Sequence, residues 1–519
     1  MAEQDSELKA TVFAIDPPKD FSNGRELLDA LITDSARASQ GALLIMAGRR
    51  PGLALPSWGH KRYDAAGLNR YLDLKFRVLW PRSDAPALEV SGGNRFTLEQ
   101  TSGSDPETIS PTEIHERFPE AAKWVRNVSD ISLTAHMRAI STWFRAAASA
   151  GWKPRRMALA QIPAEDRFII SGQGRKKLEE PLKSIILART PVSSPGRIDL
   201  FLVARTLDAR ATKSMETAFR KLWPSLPVSI RHAPIERQPT VEPPALALLV
   251  IPDDEDILNP PWIDWLRKSE EAGALFRIVR QPSLHSTDAL GNLCFDLFML
   301  AGGVPWTADT GEEDETVLGL DAGHNHDERW SRWICARLNV ASNAVSSTIV
   351  QTELAEHIPQ SAIQRLLTAG RNPEGFTVFR DGRFLSEDPG GFSPDGMIVS
   401  VAKYPVAILY RQLNGHLRPT RFGDALRYPD GRILLQTSSN RDTASGWKMP
   451  IQLRTERSEH VHRAVSLCLL LCRQPALGLY AQPRLPAPIY WADLISKTTA
   501  TGWPKVVGRG LGLNAIIPK

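Results

Sequence analysis

Between about residues 197 and 280, short runs that are apolar throughout alternate with segments of helical periodicity. The apolar runs are RIDLFLVART, ALALLVIP and ALFRIVR, and the helical segments are ATKSMETAFRKLW and WIDWLRKSEEAG. A strand without polar alternation is buried on both faces, so this order predicts a parallel β-sheet covered by helices. Such sheets bind ligands where the loops leave the carboxyl ends of the strands.

A second pattern begins at ETVLGLDAGH (315–324), an apolar strand that ends in an acid. Further strand-like runs follow it: WICARLNV, AVSSTIVQTE, GFTVFRDGRF, GMIVSVAKYPVAILY and RILLQTSS. Helical segments are predicted near 359–370, 459–474 and 489–497. Several successive strands, then a helix, then a strand that ends in an acid is the order of an RNase H-like fold.

The chain has 519 residues, which is too long for one ordinary core and predicts two to four packed units. The predicted linkers are SGSDPETISPT (102–112), PIERQPTVEPP (234–244) and the acidic stretch near 307–315. The predicted organisation is an N-terminal region of unknown role at 1–150, a second domain at 151–310 and a third at 311–519.

Composition excludes several classes of protein. Hydrophobic residues make up 42% and charged residues 23%, which is typical of a folded chain rather than a disordered one. No apolar run reaches about eighteen residues, so no membrane span is expected. The N-terminus MAEQDSELKA has no secretory signal pattern, and four scattered cysteines predict no disulfide framework. These features indicate a cytoplasmic location. The net charge of +5 is compatible with a phosphate-binding surface without establishing one.

Four acids stand where a phosphodiester-cleaving site would need them. Two divalent ions about 3.5–4 Å apart are clamped by carboxylates from different elements in such sites, and Mg²⁺ prefers oxygen ligands. Asp321 ends the strand VLGLD, Asp381 ends FTVFRD, and Asp493 lies in PIYWADLI near a helix start. These three are the predicted Mg²⁺ ligands, and Glu353 in IVQTELAEH is the candidate fourth acid. A single Asp at a strand end is more often a turn former, so the prediction depends on the set.

Three motifs around these acids resemble the PIWI domain of Argonaute proteins. LGLDAGH resembles the family's first strand, and VFRDGRF resembles its strand that ends in Arg-Asp-Gly. RLPAPIYWADLI resembles the C-terminal signature, in which Leu-Pro-Ala-Pro precedes aromatics and a metal-facing Asp or His. The resemblance covers roughly residues 310–500. It implies a PIWI domain in which Asp321, Asp381 and Asp493 occupy tetrad positions.

The same resemblance assigns the fourth, mobile tetrad position to a glutamate. Glu353 is the best candidate, and Glu356 is nearly as good. With all four acids in place and Mg²⁺ bound, the domain would be a guided endonuclease.

Residues 245–306 resemble the Rossmann-like MID domain, which in this family anchors the 5′ phosphate of a guide strand. The ending LFMLAGGVPW is similar to the family's Lys-x-Gly-Gly-x-Pro-Trp element, with Leu300 where the family commonly places a lysine. The guide-binding candidates that the resemblance implies are Trp262, Arg267, Lys268 and Arg277. Basic side chains at a helix N-terminus form an anion site. The other interpretation places Trp262 in the core and Arg267 and Lys268 on a solvated helix face.

The chain resembles short prokaryotic Argonautes, because nothing in the 150–240 residues before the MID-like segment resembles a PAZ domain. This resemblance implies an immune protein that uses a short guide, RNA in preference to DNA, to recognise complementary single-stranded invader DNA. It also implies an effector subunit that carries an APAZ region and is a nuclease, a TIR or a sirtuin-type NADase. No membrane partner is expected.

Three functions remain open at this point. Slicing is generally lost in the short group, and cleavage needs a target held in line with the metals, so the short architecture favours a guided sensor. The retained acids favour the Mg²⁺-dependent guided endonuclease. A third possibility is an RNase H-like scaffold for protein assembly, to which nucleic acid is incidental.

Overall fold

The computed structural model describes residues 6–46, 52–55, 60–79, 86–99, 107–129, 131–178, 182–206, 209–257, 259–311, 315–325, 327–355, 358–368, 377–382, 396–438, 448–479 and 484–500. The chain divides into two compact units. The first is Met1–Pro163 with Tyr404–Gln452, and the second is Ala164–Lys403 with Leu453–Lys519. The second unit contains the predicted parallel sheet and all four predicted tetrad acids.

The helices of the described residues are α1 Gly24–Ala38, α2 Pro111–Arg117, α3 Ala122–Ser129, α4 Leu133–Ser149, α5 Ser184–Arg189, α6 Ala209–Leu222, α7 Trp262–Glu271, α8 Thr287–Leu300, α9 Gln360–Thr368, α10 Val461–Leu471 and α11 Ala487–Ala500. The last three coincide with the helices predicted near 359–370, 459–474 and 489–497.

The strands are β1 Glu7–Ala10, β2 Val12–Asp16, β3 Leu44–Met46, β4 Gly52–Leu55, β5 Lys61–Tyr63, β6 Leu68–Leu79, β7 Ala87–Leu98, β8 Glu107–Ile109, β9 Lys153–Arg156, β10 Ala160–Gln161, β11 Phe168–Ser171, β12 Gly174–Lys177, β13 Ile198–Ala204, β14 Val228–Pro234, β15 Leu246–Ile251, β16 Leu275–Arg280, β17 Trp306–Asp309, β18 Thr316–Asn325, β19 Trp330–Asn339, β20 Val345–Glu353, β21 Thr377–Asp381, β22 Met397–Ala402, β23 Leu409–Leu413, β24 His416–Arg418, β25 Ala425–Arg427, β26 Ile433–Leu435 and β27 Ile451–Thr455.

The first unit is built around an antiparallel sheet of order β3-β4-β6-β7-β2-β9. Helices α1 and α4 pack on it, and their apolar faces bury Leu31 and Trp143 against Phe13 of β2. Helix α4 begins where the Ser132 side chain accepts a hydrogen bond from the Ala135 amide. The same unit also pairs β1 with β23 in antiparallel register.

In the second unit, a four-stranded sheet of order β14-β13-β15-β16 is parallel throughout. Every residue of β15 is buried, as the apolar run ALALLVIP predicts. Helix α6 packs beside α8, and the aromatic rings of Trp223 and Phe298 stack with centroids 4.0 Å apart. The predicted parallel sheet is therefore confirmed.

The second unit also contains the strands β20-β19-β18-β21-β22, hydrogen-bonded in that order. The pairs β20-β19 and β19-β18 are antiparallel, and β18-β21 and β21-β22 are parallel. Helix α11 packs directly on β18 and β19. This is an RNase H-like arrangement, and the predicted α/β fold class, a Rossmann-like domain followed by an RNase H-like domain, is confirmed.

One of the linkers predicted from the sequence is wrong in part. Residues 307–309 of the linker predicted near 307–315 instead belong to β17, which pairs with β11, because Trp306, Thr307 and Ala308 are buried there. The domain boundaries at 150 and 310 stay predictions.

All four cysteines are free and buried. Among the described residues, no helix is both long and apolar enough to cross a membrane.

Candidate functional site

Two of the predicted acids are brought together by parallel strand pairing. Strands β18 and β21 run side by side with Leu320 opposite Arg380, so the next residues, Asp321 and Asp381, end up as neighbours at the same edge of the sheet. Asp493 comes from helix α11, which lies against β18. The prediction that Asp321 ends its strand is wrong, because β18 continues to Asn325 in pairing with β19; what ends before Asp321 is the parallel pairing with β21. The end of this pairing and one packed helix thus assemble three distant parts of the sequence into one cluster.

The three carboxylates form a compact, largely buried group. Oxygen atoms of Asp321, Asp381 and Asp493 all lie within 4.8 Å of one another. Their side chains are 10%, 25% and 18% exposed. By donor type, this set of oxygens could hold a hard divalent cation.

A lysine lies at the centre of this cluster. Lys403 directly follows β22, the strand beside β21, and its side chain is only 9% exposed. Its Nζ atom lies 3.2 Å from Asp321 Oδ2, 2.6 Å from Asp381 Oδ2 and 2.5 Å from Asp493 Oδ1. The ammonium therefore contacts all three carboxylates that a metal ion would use.

The electrostatics of the cluster follow from burial and from these contacts. Burial raises the pKa of the Asp321 carboxyl to about 6, while Lys403 opposes the rise and the nearby Asp381 adds to it. For Lys403, burial favours the neutral amine, but the attraction of Asp321 and the hydrogen bonds to Asp381 and Asp493 outweigh it, and its pKa is raised. The lysine is therefore held as a cation.

The predicted fourth acid lies apart from this cluster. Asp321 is opposite Ile334 in β19, whereas Glu353 ends β20 opposite Trp330. Glu353 is therefore two strands away from Asp321, and four residues further along, or about 13 Å at the usual rise of a strand. Glu356 lies outside the described residues. The structure thus unites three of the four predicted acids and leaves Glu353 outside.

Two of the predicted guide-binding residues are buried and have partners within the protein. Trp262 opens α7 with no exposed surface, and its indole N–H donates a hydrogen bond to Glu255 Oε2 at 2.6 Å. Arg277 of β16 is 3% exposed and forms an ion pair with Asp296 of α8 at 3.2 Å. Burial lowers the pKa of Arg277, and the pairing with Asp296 opposes that shift.

The other two predicted guide-binding residues are on the surface of α7. Arg267 is exposed, and so is Lys268, whose Nζ atom donates a hydrogen bond to the Gln238 carbonyl at 3.3 Å. The four candidates do not converge on one charged pocket: two are exposed on α7, one is in the core and one is paired with an acid. Their role in guide binding stays a prediction.

A basic cavity of the second unit lies outside these predictions. Its volume is about 550 Å³, and its lining includes Arg189, Arg210, Lys213, Lys221, Ser286 and Thr287. Arg210, Lys213 and Lys221 share one face of α6, and Ser286 and Thr287 begin α8. Backbone amides and a positive dipole end at a helix start favour anions, as do the basic side chains. Sequence analysis missed this surface because no short motif marks it.

Solved Argonaute and Piwi structures share this fold over most of both chains. Clostridium butyricum Argonaute, bound to a guide DNA and a 19-mer target DNA, matches over 96% of this chain and 96% of its own, with a TM-score of 0.66 and 9% identity. Drosophila Piwi matches over 97% and 88%, with a TM-score of 0.64 and 10% identity. Marinitoga piezophila Argonaute, in complex with 5′ OH guide RNA and target DNA, matches over 91% and 84%, with a TM-score of 0.63 and 11% identity.

At these identities the likeness establishes the fold alone, which is that of Argonaute and Piwi proteins. No protein-family model matches the sequence, and no curated protein matches it.

Lys403 is the site residue that sequence analysis missed. A signal for it exists, because β22 pairs in parallel with β21 and places Val401 opposite Asp381. A charged residue just after β22 therefore lies beside Asp381, which ends β21, and beside Asp321, where the pairing of β18 with β21 stops. Lysine does not belong to the metal-binding residue types, so a metal-site pattern in the sequence does not include it.

Proposed function

We propose that this protein is a guide-directed nucleic-acid-binding subunit of a prokaryotic immune system. It holds a short guide, RNA in preference to DNA, and recognises complementary single-stranded invader DNA without cutting it. The observation that carries the proposal is the Argonaute fold, which extends over 96% of the chain in the comparison with a structure that holds guide and target. The RNase H-like strands and the acid cluster lie within that fold.

The binding chemistry follows from charge and base pairing. Basic side chains hold the guide's phosphates, so affinity should fall as salt rises. Candidates for these contacts are Arg267 and Lys268 on α7, and Lys213 and Lys221 in the basic cavity. Trp262 and Arg277 are buried in the same region of the fold, and we propose that they stabilise that region. Watson–Crick pairing, rather than the protein, reads the target's sequence.

The readout of target recognition is proposed to be an associated effector. Pairing of target with guide shifts the protein toward a state that presents or assembles a partner surface. The partner would be an APAZ-containing subunit of the nuclease, TIR or sirtuin type, as expected of the short Argonautes that this chain resembles. We place this function in the cytoplasm.

The absence of cutting is part of the proposal and has two supporting observations. Glu353 lies outside the carboxylate cluster, so one of the four acids is not in place. Lys403 contacts the other three, so their charge is already partly compensated. A second candidate function, a Mg²⁺-dependent guided endonuclease, is favoured by the convergence of Asp321, Asp381 and Asp493.

One experiment separates these functions. The protein is expressed and purified, its bound nucleic acid is extracted and sequenced, and a labelled complementary strand is then added with Mg²⁺. We expect short RNAs with a uniform 5′ end and an uncut target. Cleavage at one fixed position that is lost in the Asp381→Asn variant would establish the endonuclease instead. Protein that neither co-purifies with short nucleic acid nor binds it would contradict both and favour the assembly scaffold.

A further inference from the structure

We propose that Lys403 is the resident cation of the acidic cluster and competes with divalent metal ions for it. The proposal concerns the protein alone and does not depend on guide binding. The three carboxylates have the chemistry of a metal site, yet an ammonium group already lies among them.

The ammonium has as many N–H donors as the cluster has carboxylates, and its nitrogen lies within hydrogen-bonding distance of each of them. A lysine ammonium has three N–H donors and no acceptor, and here each of the three aspartates has one oxygen within reach of Nζ. All three N···O distances, between 2.5 and 3.2 Å, are within hydrogen-bonding reach, and a bond from an ammonium to a carboxylate is charge-assisted. Oxygens bound to Mg²⁺ converge more tightly, at about 2.0–2.1 Å from the ion. The cluster is therefore spaced around an ammonium.

Lys403 is positioned by the sheet and not by chance contact at a surface. Register fixes Val401 opposite Asp381, and Lys403 follows two residues later with 9% of its side chain exposed. A surface lysine would remain hydrated and mobile. A buried ammonium surrounded by carboxylates is instead held in place by its contacts with them. A divalent ion can occupy the cluster only if this side chain withdraws.

Charge balance determines what removal of the lysine does. Without Lys403, up to three carboxylates would face one another with no compensating charge, which destabilises the folded protein. A divalent ion could then supply the missing charge. The Lys403→Met variant, which keeps most of the apolar stem, should therefore unfold at a lower Tm than wild type and regain part of the loss when Mn²⁺ is added.

The test measures Mn²⁺ affinity and Tm on guide-free protein. We expect Lys403→Met to bind Mn²⁺ at least about tenfold more tightly than wild type, since each factor of ten needs only about 1.4 kcal/mol. The added site should disappear in the double variant Lys403→Met/Asp381→Asn. Lys9→Met is the matched control, because Lys9 also pairs with a carboxylate, Glu7 at 2.8 Å, and is not one of the residues of the acidic cluster. It should leave Mn²⁺ affinity unchanged.

Two results would overturn the proposal. One is wild-type protein that binds Mn²⁺ as tightly as Lys403→Met at a site abolished by Asp381→Asn. The other is folded Lys403→Met with no gain in Mn²⁺ affinity. If Lys403→Met does not fold, Lys403→Gln and the wild-type titration decide. Guide binding is assayed separately, so a failure of the proposed function leaves these readouts unaffected.

Discussion

At the scale of single residues, His136 gives the first unit a defined response to pH. Its side chain is 4% exposed, and its Nδ1 atom accepts a hydrogen bond from the Gly92 amide at 3.1 Å. Burial and the positive charge of Lys75 lower its pKa to about 4. An imidazole that accepts a hydrogen bond through Nδ1 is neutral, so protonation requires this contact to break.

The sign of the effect follows from linkage. The pKa of His136 is lower in the folded protein than in the unfolded chain, so the unfolded state binds more protons between about pH 6.5 and 4. Stability contributed by neutral His136 is present above this window and is lost as pH falls through it, by up to about 3 kcal/mol. Urea unfolding followed by circular dichroism at pH 7, 5.5 and 4.5 measures this loss.

His136→Asn is the control for this prediction, because its amide oxygen can accept the Gly92 hydrogen bond without titrating. The variant should be less stable at pH 7 owing to the lost ring, yet its free energy of unfolding should fall less steeply on acidification. Equal slopes for the two proteins would show that another group carries the pH dependence.

At the scale of elements, the acid cluster depends on how closely α11 approaches β18. A Cβ atom on Gly319 would lie 2.2 Å from the backbone carbonyl carbon and oxygen of Pro488, which no side-chain rotation can relieve. Gly319→Ala should therefore push α11 away from the sheet and destabilise the second unit by about 1–3 kcal/mol, as overpacking does. Thermal unfolding measures this cost.

Gly323→Ala is a matched control on the same strand. Its added Cβ would meet the Ser496 hydroxyl at 3.1 Å, a side-chain atom that can move. We expect a smaller loss of stability for this variant. If both alanine variants unfold at the same temperature, close backbone packing at Gly319 is not what holds α11 in place.

Because the site depends on how strands pair and helices pack, only part of it could be predicted from the sequence. Asp321 and Asp381 could be placed together because each ends an apolar run, and adjacent parallel strands place such positions side by side. That β18 continues to Asn325 could not be predicted in the same way. The distance of Glu353 could not be predicted, because it depends on the register of β19 and β20. The pairing of Arg277 with Asp296 likewise arises only when α8 packs near β16, and no spacing in the sequence encodes it.

The basic face of α6 makes a prediction at the same scale. Lys213 and Lys221 are exposed and line one cavity, so replacing both with glutamate should weaken binding of single-stranded nucleic acid and reduce its dependence on salt. Each phosphate contact contributes about 0.7 to the slope of log affinity against log salt for single strands, so the slope should fall by about 1.4. Fluorescence anisotropy across a salt series measures both changes.

A double variant with Lys123→Glu and Arg25→Glu controls for net charge. Both residues are exposed on helices of the first unit, and neither lines the cavity. An equal loss of affinity in this control would mean that total charge, and not the α6 face, determines binding.

At the scale of the whole molecule, the proposed sensor must convert base pairing into a change of the protein. Moving a two-state equilibrium from 1:99 to 99:1 requires a differential binding free energy of about 5.5 kcal/mol. Each base-pair step contributes about 1.4 kcal/mol, so roughly four steps would suffice if all their energy were coupled to the change. Coupling is incomplete in practice, so the response should need more pairs than this minimum and then rise steeply with length.

Hydrogen exchange of guide-loaded protein, measured against targets of increasing complementarity, tests this conversion. Targets with three or fewer complementary positions should leave the exchange pattern of the guide-loaded state unchanged, and a fully complementary target should alter it in segments that do not touch nucleic acid. A scrambled target of equal length separates pairing from nonspecific charge. If exchange changes only where the duplex covers the protein, target binding causes no wider conformational change in this chain. An effector would then have to recognise the duplex itself.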